Sequence, residues 1–296
     1  PAPAPPAPAP PAPAPPADVA VAVVLPGGAS LGAVQIGMLG SLAEAGVEPD
    51  LLVGSSVGAV NATYLAFHGG LSGLPDAEEI WQGVRRGTFL ALRPGTAALG
   101  LSGRRPHLGS AAALRAFLRG HLGSARLEEA QVPVAVVAAD VASGEAVVLT
   151  EGDAVGAVLA STAMPGILPP VAIGGRLLVD GSIAADMPVL QAEQLGASMI
   201  YVLSTRPPTA AAPPPRSVVA MVMRSMFLLM DRVNAADLAD VASRCQVRVI
   251  PAPPVGELSP FDFRHTAALI ARGRATAAAW LRSGAGAGLP GPAEQR

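Results

Sequence analysis

The chain has 296 residues, 51% of them apolar, which is enough to bury the core of one large α/β domain or two small ones and excludes disorder for most of its length. Its formal net charge of -2 excludes a global attraction to nucleic acid or to acidic partners. All 20 basic residues are arginine, so a Walker A phosphate loop, a Schiff-base enzyme and a Ser-Lys dyad are excluded, because each requires a lysine amine.

The two ends of the chain differ from the part between them. Residues 1–17 contain only proline and alanine and cannot form a hydrogen-bonded ladder, which predicts an extended polyproline II spacer that stays disordered. Residues 285–296 are predicted to form a flexible tail. Between them, short apolar runs alternate with helical periodicity, which is typical of βαβ units around a mostly parallel sheet. We therefore assign residues 18–284 to one α/β domain.

The first two units of this pattern are clear. The sequence predicts strands at residues 19–25 and 50–54, and helices from Leu31 to a stop at Gly46 and from Val57 to Phe67. A glycine-rich turn follows the first strand, and a Ser-Ser pair lies on the turn that follows the second. Because the carboxyl ends of parallel strands meet at one edge of a sheet, we expect these two turns to lie close together.

The second half of the chain predicts two hairpins, followed by alternating helices and strands. In chain order these are hairpin strands 134–141 and 146–150, hairpin strands 171–173 and 177–179, helix 189–195, strands 199–203 and 247–250, and helix 266–282. No internal repeat is visible.

The sequence Gly54-Ser55-Ser56-Val57-Gly58 is a Gly-x-Ser-x-Gly motif placed where a predicted strand ends and a helix begins. In such an elbow a strained turn exposes the serine, the glycines avoid collisions, and the helix directs amide hydrogens toward the serine. Ser56 is therefore the candidate nucleophile, with Gly54 and Gly58 as the elbow glycines. An ordinary turn is the alternative, because glycine and serine are common residues.

A second turn, residues 26–32, has the sequence Pro-Gly-Gly-Ala-Ser-Leu-Gly and also lies between a predicted strand and helix. Consecutive amides freed by small residues at a helix start can bind an oxyanion. We assign Gly27, Gly28 and Ala29 as the donors, with Gly32 as a further glycine of the motif. Dinucleotide binding is disfavoured, because a Gly-x-Gly-x-x-Gly fingerprint would need glycine in place of Ala29.

A third feature is Asp180, which follows the apolar run 177–179 and precedes Gly181. Partial burial at an apolar strand end raises the pKa of a carboxyl group, so that it can accept a serine proton. Asp140 also closes an apolar strand, and either acid could simply cap a turn. We favour Asp180, because Gly181 permits close backbone approach.

Four blocks of the sequence resemble the patatin-like phospholipases, in the order expected for that family. They are the turn through residues 27–33, the motif around Ser56, the segment Ala160-Ser161-Thr162-Ala163-Met164-Pro165-Gly166, and Asp180-Gly181. The turn in that family usually has a third glycine and a basic residue, where this sequence has Ala29 and Leu31.

The resemblance implies an α/β/α sandwich of three layers with a mostly parallel central sheet, and a Ser-Asp dyad without a catalytic histidine. It assigns Ser56 as nucleophile, Asp180 as base and the glycine-rich turn as oxyanion hole. The implied reaction is hydrolysis of fatty-acyl esters of phospholipids or related lipids through an acyl-Ser56 intermediate. No cofactor is expected.

Two other functions stay open. An α/β-hydrolase esterase or thioesterase would complete a Ser-Asp-His triad with His265, although Ser56 follows only the second predicted strand, which is early for that fold. An inactive lipid-binding domain is the other, because Leu31 replaces the usual basic residue. We expect no metal site, since His68, His107, His121 and His265 show no short ligand spacing. The single cysteine excludes an internal disulfide.

Between Arg85 and Arg126 the chain has eight arginines and no acidic residue. This segment is either a solvated helical face or part of a helical cap, residues 71–130, that contacts an anionic membrane. We expect a lipid ester as partner, peripheral membrane contact through this segment, and no nucleic acid, because only 3% of residues are aromatic. The expected location is cytoplasmic or at a membrane surface, and the oligomeric state is left open.

The longest apolar run, residues 218–230, is broken by Arg224 and is shorter than the roughly 18 residues of a membrane-spanning helix. Its methionine-rich part, from Met221 to Met230, is predicted to be core rather than lipid pocket, although flexible methionines would suit an acyl chain.

Overall fold

The computed structural model describes residues 20–89, 91–92, 102, 105–207, 218–254 and 258–284. The predicted N-terminal spacer and C-terminal tail lie outside the described residues. The strands are β1 (Val21–Leu25), β2 (Leu51–Ser55), β3 (Ala91–Leu92), β4 (Gly109–Ser110), β5 (Val134–Asp140), β6 (Ala146–Leu149), β7 (Val171–Ile173), β8 (Arg176–Asp180), β9 (Met199–Leu203) and β10 (Gln246–Ile250).

The helices alternate with these strands along most of the chain. They are α1 (Gly32–Glu44), α2 (Val57–Phe67), α3 (Leu74–Gly83), α4 (Arg86–Phe89), α5 (Ala112–Leu122), α6 (Ala154–Ser161), α7 (Ser182–Ala185), α8 (Val189–Gln194), α9 (Val218–Val241) and α10 (Thr266–Arg282). Short 3-10 turns cover Ala29–Leu31, Gly70–Gly73, Leu127–Glu129 and Phe263–His265.

One eight-stranded sheet organises the molecule, in the order β10-β9-β1-β2-β5-β8-β7, with β6 paired to β5. The five strands from β10 to β5 are parallel, whereas β6, β7 and β8 join antiparallel. Strands β3 and β4 form a separate antiparallel pair. The predicted α/β fold with a mostly parallel central sheet is confirmed.

The sheet separates the two larger hydrophobic clusters of the described residues. In β1, Val23 and Leu25 face the core formed with α1, α2, α3, α5, α6 and α10, whereas Ala22 and Val24 face the core formed with α8 and the end of α9. Because both faces are covered, the inner parallel strands β9, β1 and β2 are mostly apolar instead of alternating with polar residues, whereas the edge strand β10 carries Gln246 and Arg248. The sheet and the helices on its two faces form the three layers of the predicted sandwich.

The close contact of α1 with α10 depends on glycine. A Cβ atom on Gly37 would collide with the carbonyl of Ile270, and one on Gly273 would collide with the carbonyl of Val34. The two helix backbones therefore touch directly, and the Ser41 hydroxyl donates a 2.9 Å hydrogen bond to the carbonyl of Arg274 across the contact. This contact fixes α1, which begins at the glycine-rich turn.

The predicted elements agree well with the structure. The helices Val57–Phe67 and Thr266–Arg282 and the strand Met199–Leu203 have the predicted bounds, and Gly46 has the left-handed φ of 76° that ends the first helix. Both predicted hairpins are present. In the described residues, no helix is both long and apolar enough to span a bilayer.

Candidate active site

Ser56 lies between the end of β2 and the start of α2, with φ 53° and ψ -124°. A left-handed φ is uncommon outside glycine and marks a strained turn. The flanking glycines permit it: a Cβ on Gly54 would lie 2.5 Å from the backbone of Ala59, and one on Gly58 would collide with the carbonyl of Leu25. The elbow therefore requires glycine at both positions.

The Ser56 hydroxyl donates a 2.8 Å hydrogen bond to Oδ2 of Asp180, the last residue of β8. The second carboxylate oxygen, Oδ1, accepts the amide of Ser182 at 3.0 Å. Strand β8 runs antiparallel to β5, with Asp180 paired to Ala138. Strand β5 extends beyond the end of β2, and β8 pairs with this extension. The pairing places Asp180 next to Ser56. The structure brings the predicted nucleophile and base together.

The acidity of Asp180 is strongly perturbed. Burial raises its pKa from 3.8 to about 6, and the negative charge of Asp186 acts in the same direction. The hydrogen bonds from Ser182 and Ser56 lower it, because they stabilise the carboxylate. A carboxyl group with this pKa can accept and return a proton near neutral pH.

The two competing residues lie in other surroundings. Asp140 accepts the amide of Ala142 at 2.7 Å and is 3.7 Å from Arg176, so it caps the turn after β5. His265 lies 3.6 Å from Asp262, and its side chain is 46% exposed. Neither residue lines the cleft at Ser56.

The glycine-rich turn is held in one orientation by Thr205, which follows β9. The Thr205 hydroxyl donates a 2.5 Å hydrogen bond to the carbonyl of Gly27. Because a peptide unit is planar and trans, the amide hydrogen of Gly28 points away from Thr205. Gly28 has φ 156°, and a Cβ there would lie 2.7 Å from the Thr205 hydroxyl. Ala29 also has a positive φ, of 51°.

The donors of this turn are available beside the nucleophile. A Cβ built on Gly27 would be 3.4 Å from the Cβ of Ser56, so the turn and the elbow are adjacent. Within the part of the chain that the structure describes, the amides of Gly28 and Ala29 donate to no acceptor. Amides in this state can stabilise negative charge that develops on a bound carbonyl oxygen.

A buried polar network supports the turn from below. Gln35 donates a 2.8 Å hydrogen bond to the carbonyl of Pro26, and Asn61 donates to both Gln35 and the carbonyl of Gly32. Trp81 in turn donates to Asn61 at 2.9 Å. These bonds fix both ends of the turn, which preorganises its amides.

Ser161, in the third block named above, contacts both halves of the site. Its hydroxyl accepts the amide of Ser56 at 2.9 Å and donates to the carbonyl of Val137 at 2.6 Å. Its own carbonyl accepts the amide of Gly181 at 3.1 Å. Ser161 therefore joins the serine elbow to the strand end that carries Asp180.

A mostly apolar cleft opens at Ser56. One wall comes from α9, through Met223, Met226, Phe227 and Met230. For Met223, Met226 and Phe227 the prediction of a buried core position is wrong, because these partly exposed side chains line the cleft; Met230 is buried as predicted. The described residues of the segment 71–130 do not line the cleft.

Comparison with known proteins identifies the family. Residues 23–193, more than half of the chain, match the model of one family, described as patatin-like phospholipase. The chain belongs to the patatin-like phospholipase family.

Similar curated proteins include two uncharacterized NTE family proteins of Mycobacterium tuberculosis. One is 29% identical over 190 residues, covering 62% of this chain and 48% of the relative; the other is 31% identical over 176 residues, covering 57% and 27%. Patatin-like phospholipase domain-containing protein 7 of Mus musculus is 25% identical over 186 residues, covering 62% and 13%. This patatin-like chain spans about half the length of the first of these relatives and a smaller share of the other two.

Among solved structures, VipD from Legionella pneumophila has a TM-score of 0.46 and 13% identity, covering 90% of this chain and 67% of that one.

Arg206 lines this patatin-like cleft, as does the buried Leu31. Arg206 follows β9, pairs with Asp231 at 2.6 Å and Asp186 at 3.5 Å, and lies over the ring of Phe227. Its charge is therefore shared with two carboxylates.

Sequence reasoning missed several residues of the site. Thr205 and Arg206 could have been found, because they follow the predicted strand 199–203, and parallel strands end at the same edge as the elbow. Ser161 lies in a block that resembles the family, but its role was not assigned, since that role depends on contacts with residues far away in the sequence. Asp186 and the cleft-lining methionines likewise depend on how α9 packs.

Proposed function

We propose that this protein is a serine lipid acyl hydrolase that cleaves fatty-acyl esters of phospholipids or related lipids, with Ser56 as nucleophile and Asp180 as base. The observation that carries the proposal is the 2.8 Å hydrogen bond from Ser56 to Asp180 at an apolar cleft. Family membership supports the lipid ester as substrate. The cleft walls provide an apolar surface for an acyl chain.

In the first half of the reaction, Asp180 takes the proton of Ser56 while Oγ attacks the ester carbonyl carbon. Negative charge develops on the carbonyl oxygen, and the amides of the turn Gly27–Ala29 stabilise it. Collapse of this intermediate breaks the bond to the alcohol, which leaves with the proton from Asp180. The acyl group is then held on Ser56.

In the second half, Asp180 accepts a proton from water as the water attacks the acyl carbonyl. The Ser56–acyl bond breaks, the fatty acid leaves, and the proton returns to Ser56. The same carboxylate thus serves as base and acid in each half, which requires a pKa near the working pH.

The test measures fatty-acid release from a monoacylglycerol, a lysophospholipid and a diacyl phospholipid that carry the same acyl chain. Wild-type protein is expected to release fatty acid from at least one of them, and Ser56→Ala from none. His265→Ala serves as the matched control and is expected to keep nearly wild-type turnover; its collapse would instead favour a Ser-Asp-His triad.

Fluorophosphonate labelling separates an enzyme from an inactive lipid-binding domain. An activated serine reacts covalently with this probe, so wild-type protein is expected to be labelled and Ser56→Ala is not. Absence of label on correctly folded wild-type protein would exclude the proposed hydrolase.

A further inference from the structure

Helix α9 has apolar residues on two adjoining faces, one that lines the cleft and one that is exposed to solvent. On the inner face, Met223, Met226, Phe227 and Met230 line the cleft at Ser56. Most amphipathic helices of soluble proteins bury one apolar stripe and expose polar residues on the other side. The outer face of α9 departs from this rule.

The outer face carries large apolar side chains in contact with solvent. Val222 is 62% exposed, Leu229 is 65% exposed and Val233 is 46% exposed, and their spacing of seven and four residues places them on one stripe. Met221 and Leu228 extend the exposed area beside that stripe. A contiguous exposed apolar area marks an interaction surface more often than an isolated apolar residue does.

Helix α9 is held in position by side-chain bonds. A rotation of the helix that would bury its exposed apolar residues would break these bonds. Asp231 is paired with Arg206 at 2.6 Å, and Asn234 donates to Asp186 at 3.2 Å and accepts the amide of Met187 at 3.2 Å. These bonds hold the opposite side of α9 against the end of the sheet. Val222 and Leu229 therefore stay at the surface.

The charges near the stripe distinguish between occupants. From residue 218 to residue 233 the sequence of α9 contains Arg224, Arg232 and one carboxylate, Asp231, which pairs with Arg206. The exposed Arg232 lies between Leu229 and Val233 along the chain. An apolar helix face with arginines is typical of helices that lie in the interface of an anionic bilayer, where the guanidinium groups reach the lipid headgroups.

We propose that the outer face of α9, formed by Met221, Val222, Leu228, Leu229 and Val233, docks on the surface of an anionic lipid bilayer. This inference rests on the proposed function, because the inner face of the same helix lines the cleft that would receive the acyl chain. Docking through α9 places the lipid that supplies the substrate beside the helix that forms one wall of the cleft. It also places the contact on α9 rather than on the arginine segment from Arg85 to Arg126.

The test uses the full chain and vesicles of phosphatidylcholine, with or without phosphatidylglycerol, in a flotation assay. Val222→Asp/Leu229→Asp is expected to bind the mixed vesicles about tenfold less tightly than wild type, because it places two charges in the apolar stripe. Val249→Asp is the matched control, since Val249 is an exposed valine on strand β10 at the sheet edge. Arg232→Glu is expected to weaken the preference for vesicles that contain phosphatidylglycerol.

Turnover of a water-soluble short-chain ester keeps this test separate from the proposed function. Neither Val222 nor Leu229 lines the cleft, so the double variant is expected to cleave that ester and to melt as wild type does. Absence of Ser56-dependent cleavage by wild type would overturn the hydrolase proposal alone, because flotation needs no catalysis.

Three outcomes of flotation overturn the docking proposal. The first is wild-type binding by the double variant. The second is loss of binding in Arg115→Glu/Arg119→Glu alone, which would place the contact on α5. The third is absence of binding by wild type; if gel filtration then shows a wild-type dimer that becomes a monomer when Val222 and Leu229 are replaced, a second copy is the occupant.

Discussion

At the scale of single residues, the acidity of Asp180 depends on neighbours that act in opposite directions. Burial removes water that would stabilise the carboxylate, and Asp186 adds a like charge, whereas Ser182 and Ser56 donate hydrogen bonds to it. The balance leaves a pKa of about 6. A stronger acid would accept the serine proton less readily, and a weaker one would be protonated at neutral pH.

This pKa predicts the pH dependence of turnover. Activity is expected to fall tenfold per pH unit below about 6, because only the ionised carboxylate can take the proton from Ser56. The check is kcat/KM for a soluble ester across the acid range. A profile without an inflection near pH 6 would mean that Asp180 is not the base.

The same shift predicts how stability depends on pH. The pKa in the folded state, about 6, lies above the ordinary value of 3.8, so the folded state binds this proton more tightly than the unfolded chain does. The stabilising contribution is complete below pH 3.8 and is lost as the pH rises through about 6.

Asp180→Asn cannot ionise and is expected to escape this loss. At pH 8 its free energy of unfolding should exceed that of wild type by up to about 3 kcal/mol, and the difference should vanish in acid. Urea unfolding at the two pH values measures it. An equal pH dependence in both proteins would contradict the raised pKa.

Ser161→Ala tests a positioning residue. It leaves the amide of Ser56 and the carbonyl of Val137 without their buried partner, so kcat is expected to fall about tenfold with little change in KM. Thr162→Val is the control, because the Thr162 hydroxyl bonds only to carbonyls of its own helix. A similar loss in both variants would indicate general damage to α6 instead.

The residues of the site were predictable where a local pattern carries the signal. Ser56, Asp180 and the glycines are recognised from strand ends, small residues and family motifs, and the structure places them together. Their catalytic roles stay predictions. Ser161 bonds to Ser56 across 105 positions, and no local pattern predicts such a contact.

At the scale of secondary structure elements, the contact of α1 with α10 depends on two glycines. Gly37→Ala is expected to lower the free energy of unfolding by about 2 kcal/mol, because the added methyl group meets the Ile270 carbonyl. Gly120→Ala in α5 has open space and is expected to raise it by about 0.5–1 kcal/mol. Chemical denaturation measures the free energy of unfolding of both variants. If that of Gly37→Ala equals the wild-type value, α1 and α10 can move apart without loss of stability.

Element type was predictable because buried parallel strands and their helices have distinct periods. The placement of β8 was not, since the sequence indicates a hairpin with β7 but not its antiparallel pairing with β5. The orientation of α9 was also hidden, because a helix with two apolar faces has no single direction of burial.

At the scale of the whole molecule, Arg206 joins the end of the sheet to α9. Its side chain is 14% exposed and pairs with Asp186 and Asp231. Arg206→Met leaves both carboxylates without this partner and is expected to lower the free energy of unfolding by about 3 kcal/mol. It should also speed proteolysis within α9.

The control is Arg126→Met, which removes a solvent-exposed pair with Glu128. Such pairs contribute little, so its stability and its proteolysis pattern should match wild type. If the two variants behave alike, the Arg206 cluster does not hold α9 in place.

The long separation of Ser56 from Asp180 has a consequence for synthesis of the protein. The acid follows the serine by 124 positions, so the ribosome completes the elbow long before it adds β8. Because a domain generally folds as a unit, the elbow and its proton acceptor come together only after β8 has been synthesised. On the proposed roles, the hydroxyl stays chemically inert toward cellular lipids until β8 joins β5.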